Sequence, residues 1–360
     1  MIYMELVFTG KKDLSTLMSK ISDIGPLKIS SNLENLILSG DNLEVMKSLL
    51  IHHDMKGKID LVYIDPPYSS NNIFSTSDTR KNTISRKKGG EIAYTDVLKD
   101  DDFLEFIHDR LLLLNELLSS KGSIFLHIDN SMGHYVKLLM DDVFGKKNFL
   151  NDISRIKCNP KNFKQKQFGN IKDNILFYSK SENHTWNDIK IPKNKDQISN
   201  GYRKTDNEGR RYTTVPLHAP GETQNGDTGK PWRGLKPPEG RHWRSPPEEL
   251  ERLENMGLIE WSSTGNPRKI VFAENDKGSR IQDVMTYKDP QKPLYPTEKN
   301  YQLLDILVRS SSKEGDMILD CFCGSGGVLS AAKDNGRRFI GIDSSPLAIK
   351  VSSKRLGLIN

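Results

Sequence analysis

Short β-type runs and longer helical runs alternate along two separated stretches of this 360-residue chain, and that alternation restricts the fold more than any other feature. In the first stretch, from about Leu33 to Lys180, LENLILSG and IDLVYID are followed by DDFLEFIHDRLLLLNELLSS, GSIFLHID, MGHYVKLLMDDVFG, ISRIKC and NILFYSK. In the second, TEKNYQLLDILVRSSS has the period of an amphipathic helix, DMILDCF reads as a buried strand, GGVLSAAKDNG as a helix and RFIGID as a strand. Strands separated by helices of this length imply βαβ crossovers and a mostly parallel sheet. Neither stretch alone is large enough to cover both faces of such a sheet. Together they predict one α/β domain with a doubly wound, mostly parallel sheet, interrupted by the segment between them.

That segment, 182–292, is rich in Pro, Gly, Trp and Arg and weak in period. Its clear helix is SPPEELERLENMG, with Ser245 as N-cap and Gly257 just past the end, and WSSTG and KIVFAEN read as short strands. The expected organisation is therefore 1–181 as the first part of the α/β domain, 182–292 as an insert and 293–360 as the second part. Trp232, Trp243 and Trp261 stand in a stretch poor in aliphatic residues and are expected to form the insert's own small core. Ser69 to Glu91, full of turn formers and without a period, is expected to be a long loop.

The net charge of +6 is unevenly spread. Between Asn151 and Ser245 there are 19 basic and 10 acidic residues, leaving 34 basic and 37 acidic elsewhere. The basic character thus belongs to one segment, which suits a polyanionic partner. The longest apolar run, Leu111 to Leu114, ends at Asn115 and Glu116, and the N-terminal MIYMELVFTGKKDL lacks the pattern of a secretory signal. Cys158, Cys321 and Cys323 make neither an even disulfide framework nor paired C-x-x-C knuckles. These features predict a cytoplasmic protein with reduced thiols and no membrane partner. His108, His127 and His134 lie on separate predicted elements and are expected to be packed or solvated, so no metal is expected.

Two motifs carry chemistry. Asp320-Cys321-Phe322-Cys323-Gly324-Ser325-Gly326-Gly327 closes a strand and opens a helix, where glycines permit a tight turn and close approach of backbone to a ligand. Asp343 ends the next strand, at the spacing of a carboxylate that accepts from ribose hydroxyls in nucleotide-binding α/β folds. The full G-x-G-x-x-G spacing is missing and no G-x-x-x-x-G-K-[ST] occurs, which disfavours ordinary dinucleotide and P-loop phosphate sites. The second motif is Asp65-Pro66-Pro67-Tyr68, directly after IDLVYI. Two prolines end the strand and set rigidly where the Asp65 carboxylate, the Pro66 carbonyl and the Tyr68 ring point.

Asp65-Pro66-Pro67-Tyr68 together with Phe322-Cys323-Gly324-Ser325-Gly326 resembles the amino-group DNA methyltransferases that use S-adenosylmethionine, and the order of the motifs resembles their permuted β class. The likeness covers most of the chain. Leu38-Ser39-Gly40-Asp41-Asn42 resembles the segment that contacts the cofactor adenine, and Tyr295-Pro296-Thr297-Glu298-Lys299 the P-T-x-K motif beside the cofactor. GKPWRGLKPPEGRHWRSPPEEL followed by IEWSSTGNPRK resembles a target-recognition region. Cys321 stands where the family usually has Pro, and Asn300 where Pro often follows the Lys. The resemblance implies a Rossmann-like methyltransferase sheet with an inserted target-recognition region, S-adenosylmethionine as cofactor and duplex DNA as partner. A homodimer, and a cognate restriction endonuclease acting separately, are further partners that it allows.

By the same resemblance, the catalytic residues are Asp65, Pro66, Pro67 and Tyr68. Asp41 and Asn42 lie on the adenine side of the cofactor, Asp343 and Ser344 at its ribose, and Phe322, Gly324 and Gly326 on its methionine side. Thr297 and Lys299 lie near its carboxylate, and Asp65, Pro66, Asp320, Cys321 and Ser325 complete the lining. An exocyclic amine is a poor nucleophile because its lone pair is conjugated with the ring. Acceptors for both amino hydrogens, the Asp65 side chain and the Pro66 carbonyl, favour a tetrahedral nitrogen and free that pair. Tyr68 stacks on the base, which has to leave the duplex to be reached. Arg80, Arg86, Lys87 and Lys88 in the long loop, and Arg233, Arg241 and Arg244 in the insert, are the expected DNA contacts. Asp65 favours N6 of adenine over N4 of cytosine, for which serine is commoner at that position. Methylation of a protein glutamine or an RNA base fits less well, as does a catalytically silent DNA-binding protein.

Overall fold

The computed structural model describes residues 6–19, 25–29, 33–67, 72–76, 91–96, 100–160, 164, 166–223 and 225–359. The chain forms two compact units, one made of Met1–Ile189 with Gln282–Asn360 and the other of Lys190–Ile281. These boundaries are narrower than the expected 182–292. Asn187 belongs to the first unit because its side-chain amide donates to the carbonyls of Arg309 (2.7 Å) and Ser312 (2.8 Å). On the other side, Val284–Thr286 is pulled into the first unit's sheet as an edge strand.

That sheet has eight strands: β1 (Leu36–Ser39), β2 (Ile59–Ile64), β3 (Leu118–Ile128), β4 (Phe149–Ile156), β5 (Lys172–Ser179), β6 (Val284–Thr286), β7 (Met317–Asp320) and β8 (Arg338–Asp343), in the spatial order β1-β8-β7-β2-β3-β5-β4-β6. All neighbours pair in parallel except β3 with β5 and β5 with β4. Among the described residues no helix lies between β4 and β5, and the chain returns in the opposite direction there. Besides a short N-terminal helix, Leu14–Met18, the α-helices described in this unit are α1 (Asn42–His52), α2 (Asp100–Leu117), α3 (Gly133–Met140), α4 (Tyr301–Ser311), α5 (Gly327–Asp334) and α6 (Pro346–Arg355). Strand residues alternate between the two faces. Val62, Ile64, Ile124, Leu126, Leu319 and Ile340 share an apolar cluster with α1, α2 and α3, while Leu61, Tyr63, Phe125 and Ile318 are buried with the opposite parity. Burial on both faces is why the strand sequences are nearly continuous in apolar residues. The doubly wound, mostly parallel sheet is the expected one. The segment expected as a loop differs: Asn72–Thr76 pairs antiparallel with Glu91–Asp96. Its runs are too short and too far apart in sequence for a periodic signal.

The second unit has a four-stranded antiparallel sheet of Lys204–Thr205, Arg211–Pro216, Pro267–Phe272 and Ile259–Trp261, and a two-stranded pair, His218–Pro220 with Arg241–Trp243. Its core is Leu217, Trp232, Trp243 and Leu250, with Ile259 packed against it. Each buried indole finds an acceptor, Trp232 at Glu251 (3.0 Å) and Trp243 at the Lys230 carbonyl (3.0 Å). Trp261 stacks on Trp232 with ring centroids 5.7 Å apart but stays 40% exposed, so it covers the core rather than filling it. The longer of the two α-helices described in this unit is Pro247–Asn255, with Pro246 rather than Ser245 at the N-cap position; the other is Lys195–Gly201. At the other end of Pro247–Asn255, Gly257 has φ +68°, and Gly257 and Leu258 donate to the carbonyls of Glu254 and Leu253. This pair of hydrogen bonds is the glycine-terminated stop expected there.

Trp243→Ala removes the largest fully buried side chain among the described residues and should destabilise the second unit by about 3–5 kcal/mol. Denaturant unfolding measures it, and a loss below about 1 kcal/mol would mean that the unit is not organised around this indole.

Candidate functional site

At the C-terminal ends of β1, β8, β7 and β2 the first unit holds a cavity of about 550 Å³. Open parallel sheets bind ligands at this rim, because the strands end there and loops diverge. Each strand contributes the residues that follow it: Gly40 to Asn42 after β1, Asp343 to Pro346 at β8, Asp320 to Ser325 at β7, and Asp65 and Pro67 after β2. Tyr295 to Lys299, before α4, and Phe106 and Arg110, from α2, close the remaining sides.

Hydrogen bonds fix these segments to one another. Asp343 accepts from the amides of Gly324 (2.8 Å) and Ser345 (2.9 Å), which locks the glycine turn to the end of β8. Asp41 caps α1 by accepting from the Leu43 amide at 2.8 Å. Asn42 donates to the Cys321 carbonyl (2.6 Å) and accepts from Arg110 Nε (2.6 Å), so one side chain ties α1, β7 and α2 together. The Arg110 guanidinium also lies 3.4 Å from the centre of the Phe106 ring. The glycine turn depends on Gly326, at φ +72°, where an added Cβ would stand 2.9 Å from Ser352 Cβ. Asn300 replaces a proline of the family pattern with a cap: its side chain accepts from the Gln302 (2.9 Å) and Leu303 (3.3 Å) amides at the start of α4.

The segment Tyr295 to Lys299 is held in an unusual shape. Thr297 has φ +62°, a left-handed conformation costly for a β-branched residue. Its surroundings impose it, since Arg355 pairs with Glu298 and reaches Ser325 Oγ at 3.0 Å. The result places Lys299 Nζ 2.5 Å from an Asp65 carboxylate oxygen, with both side chains largely buried. Lys299, expected beside a cofactor carboxylate, here faces the carboxylate of the proline motif.

Acidic groups dominate the floor. Burial raises the Asp320 carboxyl well above its ordinary range, and the charges of Asp65 and Asp343 push it further. Burial likewise raises Asp343, against the hydrogen bonds it accepts from backbone amides. Carboxylates held together in this way are relieved by a cation, so the cavity favours a positively charged ligand.

Of the residues expected from the sequence, Asp41, Asn42, Asp65, Pro67, Thr297, Lys299, Asp320, Cys321, Phe322, Gly324, Ser325, Asp343 and Ser344 line this one cavity. Pro66 is buried between two lining residues and Gly326 lies behind the turn, so neither lines it. Tyr68, Arg80, Arg86, Lys87 and Lys88 lie outside the described residues. In the second unit Arg233 is held by Glu251 (2.8 Å) and Glu254 (3.3 Å). Arg241 donates to His218 Nδ1 at 3.2 Å, and Arg244 to the Pro216 carbonyl at 3.2 Å. Sequence reasoning missed Phe106 and Arg110, which fall inside a helix with no local motif, and Tyr63, hidden in an apolar strand.

The sequence matches the model of the N6/N4 methyltransferase family, described as DNA methylase, over residues 59–354. The chain belongs to that family. It is 36% identical to the type II methyltransferase M.EcaI of Enterobacter cloacae, over 98% of this chain and 77% of the relative. It is 25% identical to the Mod subunit of the type III restriction-modification enzyme StyLTI of Salmonella typhimurium, covering 91% of this chain but 55% of that one. The fold is similar to that of the cytosine-N4-specific PvuII DNA methyltransferase, with a TM-score of 0.50, 12% identity and coverage of 89% and 85% of the two chains. Among the described residues no helix is long and apolar enough to cross a membrane.

Asn42→Ala leaves Arg110 Nε and the Cys321 carbonyl without their shared partner and should lower stability by about 1–3 kcal/mol. Thermal or denaturant unfolding of the variant against the parent checks this, and an unchanged midpoint would show that Asn42 does not join the three elements.

Proposed function

We propose that this protein is a site-specific DNA methyltransferase acting on the N6 amino group of an adenine flipped out of duplex DNA, with S-adenosylmethionine as methyl donor. The observation that carries the reading is the position of Asp65: it directly follows β2 on the rim of a cavity whose floor carries carboxylates that a cation would relieve. When bound, S-adenosylmethionine supplies an electrophilic methyl group on a sulfonium, and its positive charge fits that floor. Asp343 and Asp41 are suited to hydroxyl and adenine groups, and the turn from Phe322 to Ser325 to the amino-acid end.

In this reading the Asp65 carboxylate accepts one hydrogen of the target amine and the Pro66 carbonyl, adjacent to two lining residues, the other. Pro66 and Pro67 keep both acceptors rigid, so the gain comes from position and electrostatics rather than from a strong base. Asp65 takes up the proton lost as the carbon–nitrogen bond forms. Lys299 holds Asp65 in place by the ion pair at 2.5 Å. Tyr68 stacks on the flipped base, offsetting part of the unstacking cost of a few kcal/mol.

DNA phosphates fall to the second unit and to the sequence segment carrying Arg80, Arg86, Lys87 and Lys88. Arg241, Arg244 and Arg268 surround His218, whose pKa burial lowers first and these cations lower further. None of the three arginines has a carboxylate partner within 4.0 Å among the described residues, which suits contact with phosphate. Arg233, already neutralised by two glutamates, is left out of this role. The names of the relatives, a type II methyltransferase and the Mod subunit of a type III restriction-modification enzyme, support a modification methyltransferase.

Incubation with labelled S-adenosylmethionine and duplex DNA, followed by nucleoside analysis, should yield N6-methyladenine. N4-methylcytosine as the sole product would overturn the adenine assignment. Asp65→Ala should reduce transfer by about 10³-fold or more, the scale of losing a preorganised transition-state contact, while cofactor binding changes little. Retained transfer would mean that another group is the acceptor.

A further inference from the structure

A line of buried polar side chains leads away from the cavity on the face of the sheet that bears Tyr63. Tyr63 on β2 lines the cavity, and its hydroxyl is 2.9 Å from Nδ1 of His127 on the neighbouring β3. His127 Nε2 is 3.3 Å from Asp173 Oδ2 on β5, and Asp173 Oδ1 accepts from Lys157 Nζ at 2.6 Å. Arg155 Nη1 approaches the same carboxylate at 3.7 Å. His127 and Arg155 are fully buried, and Tyr63 and Asp173 are 3% exposed. So many polar groups under an otherwise apolar sheet are expensive to keep, and in this line they end at the cavity.

The chemistry of the groups sets the direction of the hydrogen bonds. His127 and Lys157 hold the Asp173 carboxyl well below its usual range although burial works against this, so it is an acceptor only. Burial lowers the His127 pKa, which leaves a neutral ring with one N–H. That hydrogen has to sit on Nε2, facing Asp173, and Nδ1 is then a bare lone pair. Burial, and next the charge of Asp65, raise the Tyr63 phenol, so it keeps its proton and donates it to Nδ1.

We propose that Asp173, acting through His127, fixes the direction of the Tyr63 hydrogen bond so that Tyr63 offers no proton to Asp65. The inference rests on Asp65 being the acceptor of the reacting amine. The Asp65 charge acts on the Tyr63 phenol, so a hydroxyl free to turn would be drawn toward that carboxylate and compete with the amine for it. With its one hydrogen committed to His127, the Tyr63 hydroxyl has none left to donate elsewhere. Tyr63, His127 and Asp173 are therefore positioning residues: they keep a further donor, beyond the Lys299 ammonium that orients Asp65, away from its carboxylate.

Asp173→Asn reverses the line. Its amide oxygen stays on Lys157, its NH₂ faces Nε2, the ring proton moves to Nδ1, and the Tyr63 hydroxyl is released toward the cavity. The expected result is a fall in kcat of about tenfold or more, with cofactor dissociation constants within about twofold of the parent. In a Tyr63→Phe background, where no hydroxyl can be misdirected, Asp173→Asn should cost less than about threefold. Equal losses in both backgrounds, or no loss in the first, would overturn the proposal. Selective ¹⁵N-histidine labelling of the parent, with His127→Gln to assign the signal, gives a readout that depends on no activity and on no folded Asp173 variant. A protonated Nε2 and a bare Nδ1 are expected, and the opposite tautomer sinks the idea. Asp65→Ala in the same assay separates the two readings. Activity retained there removes the Asp65 assignment, whereas an inactive Asp65→Ala beside equal Asp173→Asn losses removes only the role of the buried line.

Discussion

The parallel pairing of β2 with β7 is the joint on which the molecule depends. It registers Leu61 with Ile318 and Val62 with Leu319, strands from opposite ends of the chain, and so places Asp65 and Asp320 on one rim. Asp60 reinforces it from below: its carboxylate accepts from the Met317 amide at 3.0 Å and from Ser119 Oγ at 2.9 Å, which binds β7, β2 and β3 at their N-terminal ends. A one-residue slip would turn every side chain of β2 to the other face, moving Tyr63 into the apolar cluster and Val62 toward the polar line. The order of the motifs along the chain matters less than this register.

Electrostatics at the rim follow from the same joint. Once Asp65, Asp320 and Asp343 meet at neighbouring strand ends, burial and mutual repulsion make the cavity a poor place for three anions and a good one for a cation. Lys299 answers part of that charge from inside the chain, and the left-handed Thr297 is the backbone cost of bringing it there. The Arg355 pair with Glu298 keeps that segment from relaxing.

The second unit solves a different problem. It has few aliphatic residues, so two indoles, each with its N–H satisfied, stand in for a core. Its basic composition is partly spent on internal pairs, as with Arg233 and Glu251 or Lys204 and Glu260, so net charge overstates what is left for a polyanion. Arg241, Arg244 and Arg268 stand apart because hydrogen bonds to backbone, to Thr214 or to His218 hold them without neutralising them.

The sequence by itself determined the strands and helices of the α/β stretches, because burial on both faces makes IDLVYI and MILD apolar at nearly every position. It also determined Asp65 and the glycine turn, because backbone conformation demands proline or glycine there, and Asp343 by its place at the end of the next apolar strand. It read Ser245 as a cap where Pro246 stands, since both satisfy the same local pattern and only the path of the chain distinguishes them. Tertiary structure alone decided that Asn42, Arg110 and Cys321 meet, that Lys299 turns to Asp65, and that Asp173 lies within reach of His127 and so of Tyr63. These contacts join residues from different strands and helices, and no periodicity or spacing along one element reports on them. His127 looked like a packed histidine because in one dimension it is an odd residue in an apolar strand. The neighbouring strands give it a partner on each side.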